Sequence, residues 1–380
     1  MAPSFFEMGL EAARRWQELT SGEHPWIRVG TALCGEAAGA DEVIAALESA
    51  LESQGVSAQV SRVGCLGLCF AEPLLDVQLP GGCRVFYGNV APENVAEIVS
   101  SHVSGGSPVG SLALGYLAQE GSDSLPPEGI PDLNQHPMRA WENRIALRNA
   151  GNIDPLDIYQ YVANGGYQAL HKTLTNLSRE ETLDEVKTSG LRGRGGAAFP
   201  TGAKWSFLAG NPATEKYVLC NCEEGDPGAF NDKAILESDP HTLVEGVIIA
   251  GYATGASKGY IFIRHGHDGP IERCRAAVRQ AQELGLLGES IMGSDFSYDV
   301  EVALTGDSYV AGEETALMEA IEGKRAMPRF RPPFPAQVGL FGKPKPWPTS
   351  RRSSPEEVSG SPASATTRAP APPYSAFRVP

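Results

Sequence analysis

Two apolar, strand-like runs separated by an apolar helical run constrain the fold most. Lys216–Asn221 and Lys258–Arg264 are short and rich in Val, Leu, Ile, Tyr and Phe, which is the pattern of strands covered on both faces. His241–Ala253 between them is apolar all round, as expected of a buried helix. Glu272–Leu284 follows with one apolar face. A strand–helix–strand order with both strands buried predicts a mostly parallel, helix-covered sheet.

An earlier stretch reads as a second α/β unit over residues 25–103. Trp26–Leu33 is predicted as a strand and Asp41–Gln54 as a helix, with Val43, Ile44, Leu47 and Leu51 at helical spacing. Gln59–Val63, Leu74–Gln78 and Arg84–Gly88 are further strands, and Glu93–Val103 is a closing helix. Residues 1–24 read as a polar, helical segment. Residues 104–139 read as a linker, because Ser-Gly-Gly-Ser-Pro and Leu-Pro-Pro-Glu-Gly-Ile-Pro are turn-forming compositions. The larger unit spans 140–344, and residues 345–380 form a Ser/Pro/Ala-rich tail without helical or strand period. No internal repeat is present.

Charge and cysteine content narrow the class. A formal net charge of −15 argues against nucleic acid or an anionic membrane surface as a partner. No apolar run approaches the ~18 residues of a membrane span, and the first residues lack the basic-then-apolar order of a secretory signal. Seven cysteines, an odd number with two close pairs, fit reduced thiols or metal ligands better than a disulfide framework. The expected setting is cytoplasmic, with peripheral association to the inner membrane as part of a complex held open.

Function is most legible between Gly190 and Phe207. Five glycines between Gly190 and Gly202 let the backbone approach a ligand closely, and successive amide N–H groups in such a loop form an anion-binding concavity. Arg192, Arg194 and Lys204 add positive charge, while Phe199, Trp205 and Phe207 offer flat surfaces. The run is neither GxGxxG nor GxxxxGK[ST], so the two common phosphate motifs do not account for it. Taken alone, Glu223, Glu224 and Asp226 also suit a solvated acidic turn, and Phe199 and Phe207 suit core positions. Cys220 and Cys222 are read as lying on opposite faces of a strand, unable to share a ligand. His241, His265 and His267 lack metal-ligand spacing and are read as structural.

Gly190–Phe207 closely resembles the flavin- and NADH-binding loop of the NADH-oxidising flavoprotein subunit of respiratory complex I. The related diaphorase subunits of NAD-linked hydrogenases and formate dehydrogenases share that loop. Asn221–Lys233 is similar to the family's NADESEPGTFKDR, and Tyr309–Leu317 to YICGEETAL. Arg331–Gln337 is similar to KPPFPAQ, and Gly339–Pro344 to GLWGKP. Arg144–Asn149 through Ile153–Pro155 resembles the family's lead-in. The resemblance implies a Rossmann-like FMN- and NADH-binding α/β domain that passes a hydride from NADH to FMN. It also implies that electrons then pass to iron–sulfur clusters, serving a quinone, hydrogenase or formate dehydrogenase partner.

The resemblance also implies roles. Gly193, Arg194 and Gly195 would line the flavin phosphate and ring, with Lys204 near the isoalloxazine. Asn221, Glu223 and Glu224 would hold the ribityl chain and ring edge, and Tyr309, Gly312, Glu313 and Glu314 would close over the flavin. Asp226 would accept from the NADH ribose hydroxyls. Phe199 and Phe207 would sandwich its adenine, and Phe334 would contact the nucleotide. Arg331 stands where the family has lysine, exchanging a compact ammonium for a planar fork at the nucleotide. Cys222 replaces a usual alanine.

Residues 25–103 resemble the thioredoxin-like [2Fe-2S] domain of the same assemblies, carried by Cys65-Leu-Gly-Leu-Cys69 with Cys34 upstream. Thiolates suit iron–sulfur clusters because they are soft, anionic ligands. Cys34, Cys65 and Cys69 are the implied ligands. The fourth is open: Val29 stands about where it belongs, and Cys83 is a substitute that spacing does not require. A degenerate domain that keeps the fold without a cluster is the competing reading.

The family continues past Pro344 with a flavin-holding Asn-Asn-Val-Glu-Thr segment and then Leu-Ala-Asn-Val-Pro. Here the chain runs Lys345-Pro346-Trp347-Pro348 into the tail. Read in a shifted frame with synonymous codons, the tail gives Thr-Leu-Ala-Asn-Val-Pro-Ala-Ile-Leu-Thr, so a coding deletion explains it. The expectation is a chain out of frame after 344, without the Cys-x2-Cys-x2-Cys run that holds the intact parent's [4Fe-4S] cluster. Weak FMN binding follows from this expectation. The alternative function is a truncated, non-catalytic remnant that folds and docks.

Overall fold

The structure, a computed structural model, describes residues 3–119, 125–194, 197–226, 228–305, 308–332 and 339–342. Its contacts divide into two compact units, one over Gly9–Arg144 with Arg148–Ala163 and one over Met1–Met8, Ile145–Leu147 and Asn164 onward.

α1 (Phe5–Ser21), which groups with the N-terminal unit from Gly9 on, precedes β1 (Trp26–Gly30), a strand buried along its whole length. The short α2 (Leu33–Ala37) and α3 (Ala40–Gln54) follow. On α3, Val43, Ile44, Leu47 and Leu51 lie on the buried face at the spacing that predicted it. Gly55 stops the helix at φ 65°, a left-handed conformation that glycine adopts without strain. Then come β2 (Gln59–Val63), β3 (Leu75–Gln78), β4 (Arg84–Tyr87), α4 (Pro92–Ile98) and β5 (Ala113–Leu117).

The sheet runs β2-β1-β3-β4-β5. β1 pairs parallel with β2 and antiparallel with β3, and β3–β4 and β4–β5 are antiparallel. A βαβ start followed by an antiparallel hairpin and a closing helix is the thioredoxin-like arrangement. Its core joins Ile27, Val29, Leu75, Val77, Val85 and Tyr87 to Val43, Leu47, Val95 and Ile98.

Residues 113–117, expected within a linker, instead form the edge strand β5. The segment is short, and Gly115 has no strand propensity. It is nevertheless needed there, since a Cβ at Gly115 would sit 2.9 Å from the Pro131 carbonyl oxygen. The Tyr116 N–H donates to that same oxygen at 2.9 Å, which covers the exposed edge.

The helix α5 (Ile158–Ala163) groups with the first unit by its contacts. In the second unit, α6 (Gln168–Asn176), α7 (Arg179–Thr188) and α8 (Thr201–Ala209) lead into β6 (Tyr217–Cys222). After it come α9 (Asn231–Ser238), α10 (Pro240–Thr254), β7 (Lys258–Arg264), α11 (Asp268–Glu283), β8 (Asp299–Thr305) and α12 (Glu314–Ile321). The three strands are parallel in the order β6-β7-β8, the sheet expected from the strand–helix–strand pattern. α10 is buried almost throughout, as its all-round apolar sequence requires. Its Gly251 lies against the Tyr298 ring, which a Cβ there would meet at 2.4 Å.

His241 is structural, as expected. Its Nδ1 is 2.9 Å from the Tyr167 hydroxyl and its Nε2 is 2.9 Å from Gln280 Oε1. The reading of Cys220 and Cys222 needs correction: their Sγ atoms lie 3.7 Å apart. Residues two apart on a strand share a face. Among the described residues, no helix is long and apolar enough to cross a membrane.

A buried ionic knot sits in the first unit. Asp76, 3% exposed, accepts from Arg28 Nε at 2.8 Å and from Arg84 at 2.8 and 3.1 Å. Asp76→Ala would leave two guanidinium groups without a carboxylate partner, one of them on the almost fully buried Arg28. We expect a loss of about 3–5 kcal/mol in that unit's urea unfolding. A loss under about 1 kcal/mol would show that the pairs are not what stabilises the sheet.

Candidate functional site

Parallel pairing gathers the carboxyl ends of β6, β7 and β8 on one edge, and ligands in open α/β sheets bind beside such edges. Asn221 and Cys222 pair with Phe262 and Ile263 of β7, which places Glu223, the next residue, beside Arg264. Glu223 Oε1 accepts from the Arg264 guanidinium at 2.8 Å, with its side chain only 3% exposed. Asn221 braces the same corner. Its Oδ1 accepts from the Glu223 N–H at 3.1 Å, and its Nδ2 donates to the Gly312 carbonyl at 3.1 Å. A Cβ on Gly312 would come within 2.9 Å of Glu223 Oε2. The corner is therefore lined by backbone and by oriented polar atoms, the kind of surface a planar, hydrogen-bonding ligand needs.

Three of the residues implied for the flavin thus meet: Asn221, Glu223 and Gly312. Arg264, which sequence reasoning missed, completes the set. Its only signal was a charged residue ending an apolar strand.

Glu224 is buried. Its carboxylate accepts from the N–H groups of Asn231 at 2.6 Å, Asp232 at 3.3 Å and Lys233 at 3.0 Å, capping α9. Asp232 keeps part of its residue surface exposed, but burial of its carboxyl and the nearby Glu224 and Glu223 push it up to about 7. Asp226 is exposed and accepts from the Gly228 N–H at 3.2 Å.

The glycine loop is closed on itself. The Gly193 N–H donates to the Phe199 carbonyl at 2.8 Å and the Thr201 N–H to the Leu191 carbonyl at 2.9 Å. Arg192 donates to the Ala198 carbonyl at 3.0 Å, while Arg194 is exposed. The loop runs into the first turn of α8, where Thr201 Oγ1 is buried without a partner among the described residues. An unpaired hydroxyl where a glycine loop meets a helix start suits an anionic group. Lys204 is 1% exposed on α8.

The Phe199 and Phe207 rings lie 6.4 Å apart between centroids, tilted by 44°. A flat base stacked between two rings needs about 7 Å, twice the ~3.5 Å contact distance, so a small opening would admit one. Beside Phe207 is a cleft of about 420 Å³ lined by Lys187, Gly190, Leu191, Pro200, Ala203 and Ser206 among others. That volume is in the range of small-molecule sites.

Glu313 caps α12, accepting from the N–H groups of Thr315 at 2.9 Å and Ala316 at 3.0 Å. Arg331 pairs with both Glu313 and Glu314. Tyr309 is 71% exposed. Gly195 and Phe334 lie outside the described residues.

In the N-terminal unit, Cys34, Cys65 and Cys69 come together with all three Sγ atoms within 4.8 Å of one another. Cys65 and Cys69 are 3.5 Å apart, and Cys65 also accepts from the Gly67 N–H at 3.2 Å. The hydrogen bond from Cys34 is the largest influence drawing Cys65 down to about 6, while the Cys34 thiol is pushed up. Burial raises Glu72, beside them, to about 7. Neither the position that the resemblance assigns to a fourth ligand nor the substitute Cys83 reaches the group. Val29 is fully buried in the core, and Cys83 Sγ faces the Leu125 carbonyl at 3.9 Å.

Residues 186–343 match Complex1_51K, the Nuo51 FMN-binding domain. That stretch, which carries the glycine loop and the carboxyl edge of the sheet, is thus similar to this class of flavin-binding domains. The NADP-reducing hydrogenase subunit HndC of Solidesulfovibrio fructosivorans is 52% identical over 201 residues, covering 53% of this chain and 41% of that protein. An NADH-quinone oxidoreductase subunit of Aquifex aeolicus is 50% identical over 187 residues, covering 49% and 43%. The matches thus span less than half the length of these relatives. Among solved structures, an NAD+-reducing [NiFe]-hydrogenase in the H2-reduced state aligns with 90% of this chain and 52% of that chain, at 24% identity and a TM-score of 0.43. A thioredoxin-like [2Fe-2S] ferredoxin from Aquifex aeolicus aligns with 24% of this chain and 97% of its own, at 27% identity and a TM-score of 0.22.

The raised Asp232 has a pH consequence. The folded protein holds this proton up to about 7, whereas the unfolded residue releases it near 3.8. Its contribution to stability is complete below the lower value and is lost as pH rises through the higher one. Asp232→Asn should flatten the fall in unfolding free energy across that window and leave the variant more stable than wild type above about pH 7. An unchanged slope in urea melts across pH would contradict this placement.

Proposed function

We propose that this chain is the NADH-oxidising flavoprotein component of a multi-subunit oxidoreductase of the complex I, hydrogenase or formate dehydrogenase kind. The observation that carries this is the Asn221–Glu223–Gly312 corner, held by Arg264 at the carboxyl edge of a parallel sheet inside the matched FMN-binding segment.

FMN, when bound, supplies the capacity to take a hydride from NADH and pass electrons on singly. The chain's own residues bind, orient and shield. The first turn of α8, with the unpaired Thr201 hydroxyl, would face the phosphate where the glycine loop ends. Asn221 and Glu223 present fixed hydrogen-bonding atoms to the polar flavin edge, and Gly312 keeps that wall free of side chains. Arg264 holds the buried Glu223 carboxylate in one orientation, which a half-paired acid could not maintain. Lys204 adds a cation in α8, and a cation near a flavin favours uptake of negative charge. Phe199 and Phe207 offer their faces to the adenine of NADH beside the 420 Å³ cleft. Asp226, exposed, would accept from the ribose hydroxyls, and Arg331, paired with Glu313 and Glu314, would border the nucleotide.

In the N-terminal unit, Cys34, Cys65 and Cys69 would hold a [2Fe-2S] cluster, since three convergent soft donors suit iron–sulfur chemistry. The electron acceptor would be a partner subunit, in a cytoplasmic assembly that can sit peripherally on the inner membrane.

Ferricyanide reduction by NADH tests the reading on the chain supplied with FMN, because it needs flavin but no partner. We expect NADH-dependent reduction. We further expect Phe199→Ala to raise KM for NADH two- to tenfold, about 0.4–1.4 kcal/mol of stacking, with kcat changed less. FMN-loaded protein that leaves ferricyanide unreduced would overturn the assignment.

A further inference from the structure

We propose that Glu72 supplies the fourth ligand of the metal centre in the N-terminal unit, making it a three-thiolate, one-carboxylate site of Cys34, Cys65, Cys69 and Glu72. This rests on the reading that the unit holds a [2Fe-2S] cluster, and it identifies the ligand that the cysteine pattern leaves open.

The three thiols lie within 4.8 Å of one another, and Cys34 links them to Glu72. Cys65 and Cys69 Sγ are 3.5 Å apart, and Cys34 Sγ is 3.8 Å from Glu72 Oε1. A tetrahedral metal with bonds of about 2.3 Å separates neighbouring donor atoms by roughly 3.8 Å. Both distances therefore have the spacing of ligands that share one metal, and a two-iron cluster takes four such ligands.

Glu72 is built into this position. It is 7% exposed, and its Oε2 accepts from the Leu74 N–H at 2.8 Å, which fixes the plane of the carboxylate and leaves Oε1 on the cysteine side. Two glycines make room for it. A Cβ on Gly30 or on Gly35 would come within 3.0 or 3.3 Å of Glu72 Oε2. A carboxylate buried against thiolates is costly unless a cation or a proton compensates it. A metal centre is a partner that thiolates and a carboxylate accept alike. Among the described residues no other cysteine joins the group, and the side chains of Val29 and Cys83 are committed elsewhere.

The test is anaerobic reconstitution of the full chain with iron and sulfide, comparing wild type with Glu72→Gln and Glu72→Cys. Bound iron, bound sulfide, visible absorption and the electron paramagnetic resonance of the reduced protein are read. We expect about two irons and two sulfides per wild-type chain. Glu72→Gln keeps the Leu74 hydrogen bond and the volume but removes the anionic donor, so it should retain roughly fivefold less cluster or lower still. Glu72→Cys should hold a full cluster whose spectrum shifts toward all-cysteine ligation.

A Glu72→Gln protein with wild-type cluster content and spectrum would overturn the carboxylate ligand while leaving the [2Fe-2S] reading intact. Should Glu72→Gln fail to fold, a Glu72→Cys spectrum identical to wild type would overturn it equally. Wild-type protein that takes up no iron and sulfide would overturn both.

Discussion

The Arg264–Glu223 pair is the contact on which the candidate flavin site depends. Parallel strands carry all their carboxyl ends to one edge, and there the chain crowds Glu223, Glu224 and Asp232 together. Such a cluster is unfavourable unless each carboxylate is answered. Arg264 answers Glu223, the N-terminus of α9 answers Glu224, and Asp232 keeps its proton to a higher pH. With those charges settled, Asn221 and the Gly312 backbone can be held in a fixed register, and the wall can stay free of side chains. Preorganisation of this kind is what lets a few polar atoms orient a flat cofactor.

The N-terminal unit solves a similar problem differently. Its sheet buries Asp76 between Arg28 and Arg84, and Arg28 also stacks over the Trp26 ring at 3.7 Å. This knot lies on β1, β3 and β4, the strands whose ends present Cys34 and Glu72. Cys65 and Cys69 come from the loop after β2. The donors thus stand at the margins of one braced sheet, and supporting a site on rigid strands is how its geometry is kept.

Much of this was legible in the sequence because period and burial coincide. The apolar β6 and β7 runs and the all-round apolar α10 could only be a covered parallel sheet, and Val43, Ile44, Leu47 and Leu51 declared the buried face of α3. Asn221, Glu223 and Gly312 were named from motif resemblance, and the structure joins them. What was illegible depended on contacts between distant segments. Arg264 looks like an ordinary strand-end charge until β6 is laid beside β7. Glu72 looks like a surface acid until Gly30 and Gly35 are folded against it. β5 was hidden because a short edge strand with a glycine carries no period of its own. Cys220 and Cys222 were placed on opposite faces although a spacing of two along a strand puts them on the same one.

Titration of FMN into the full chain, followed by flavin fluorescence and run beside Gly312→Leu, tests the central claim most directly. If the sheet-edge corner is the flavin site, wild type quenches the fluorescence saturably. The leucine variant, with a side chain driven toward Glu223, then binds roughly tenfold or more weakly with an unchanged circular dichroism spectrum. Equal FMN affinity in the two folded proteins would contradict the account.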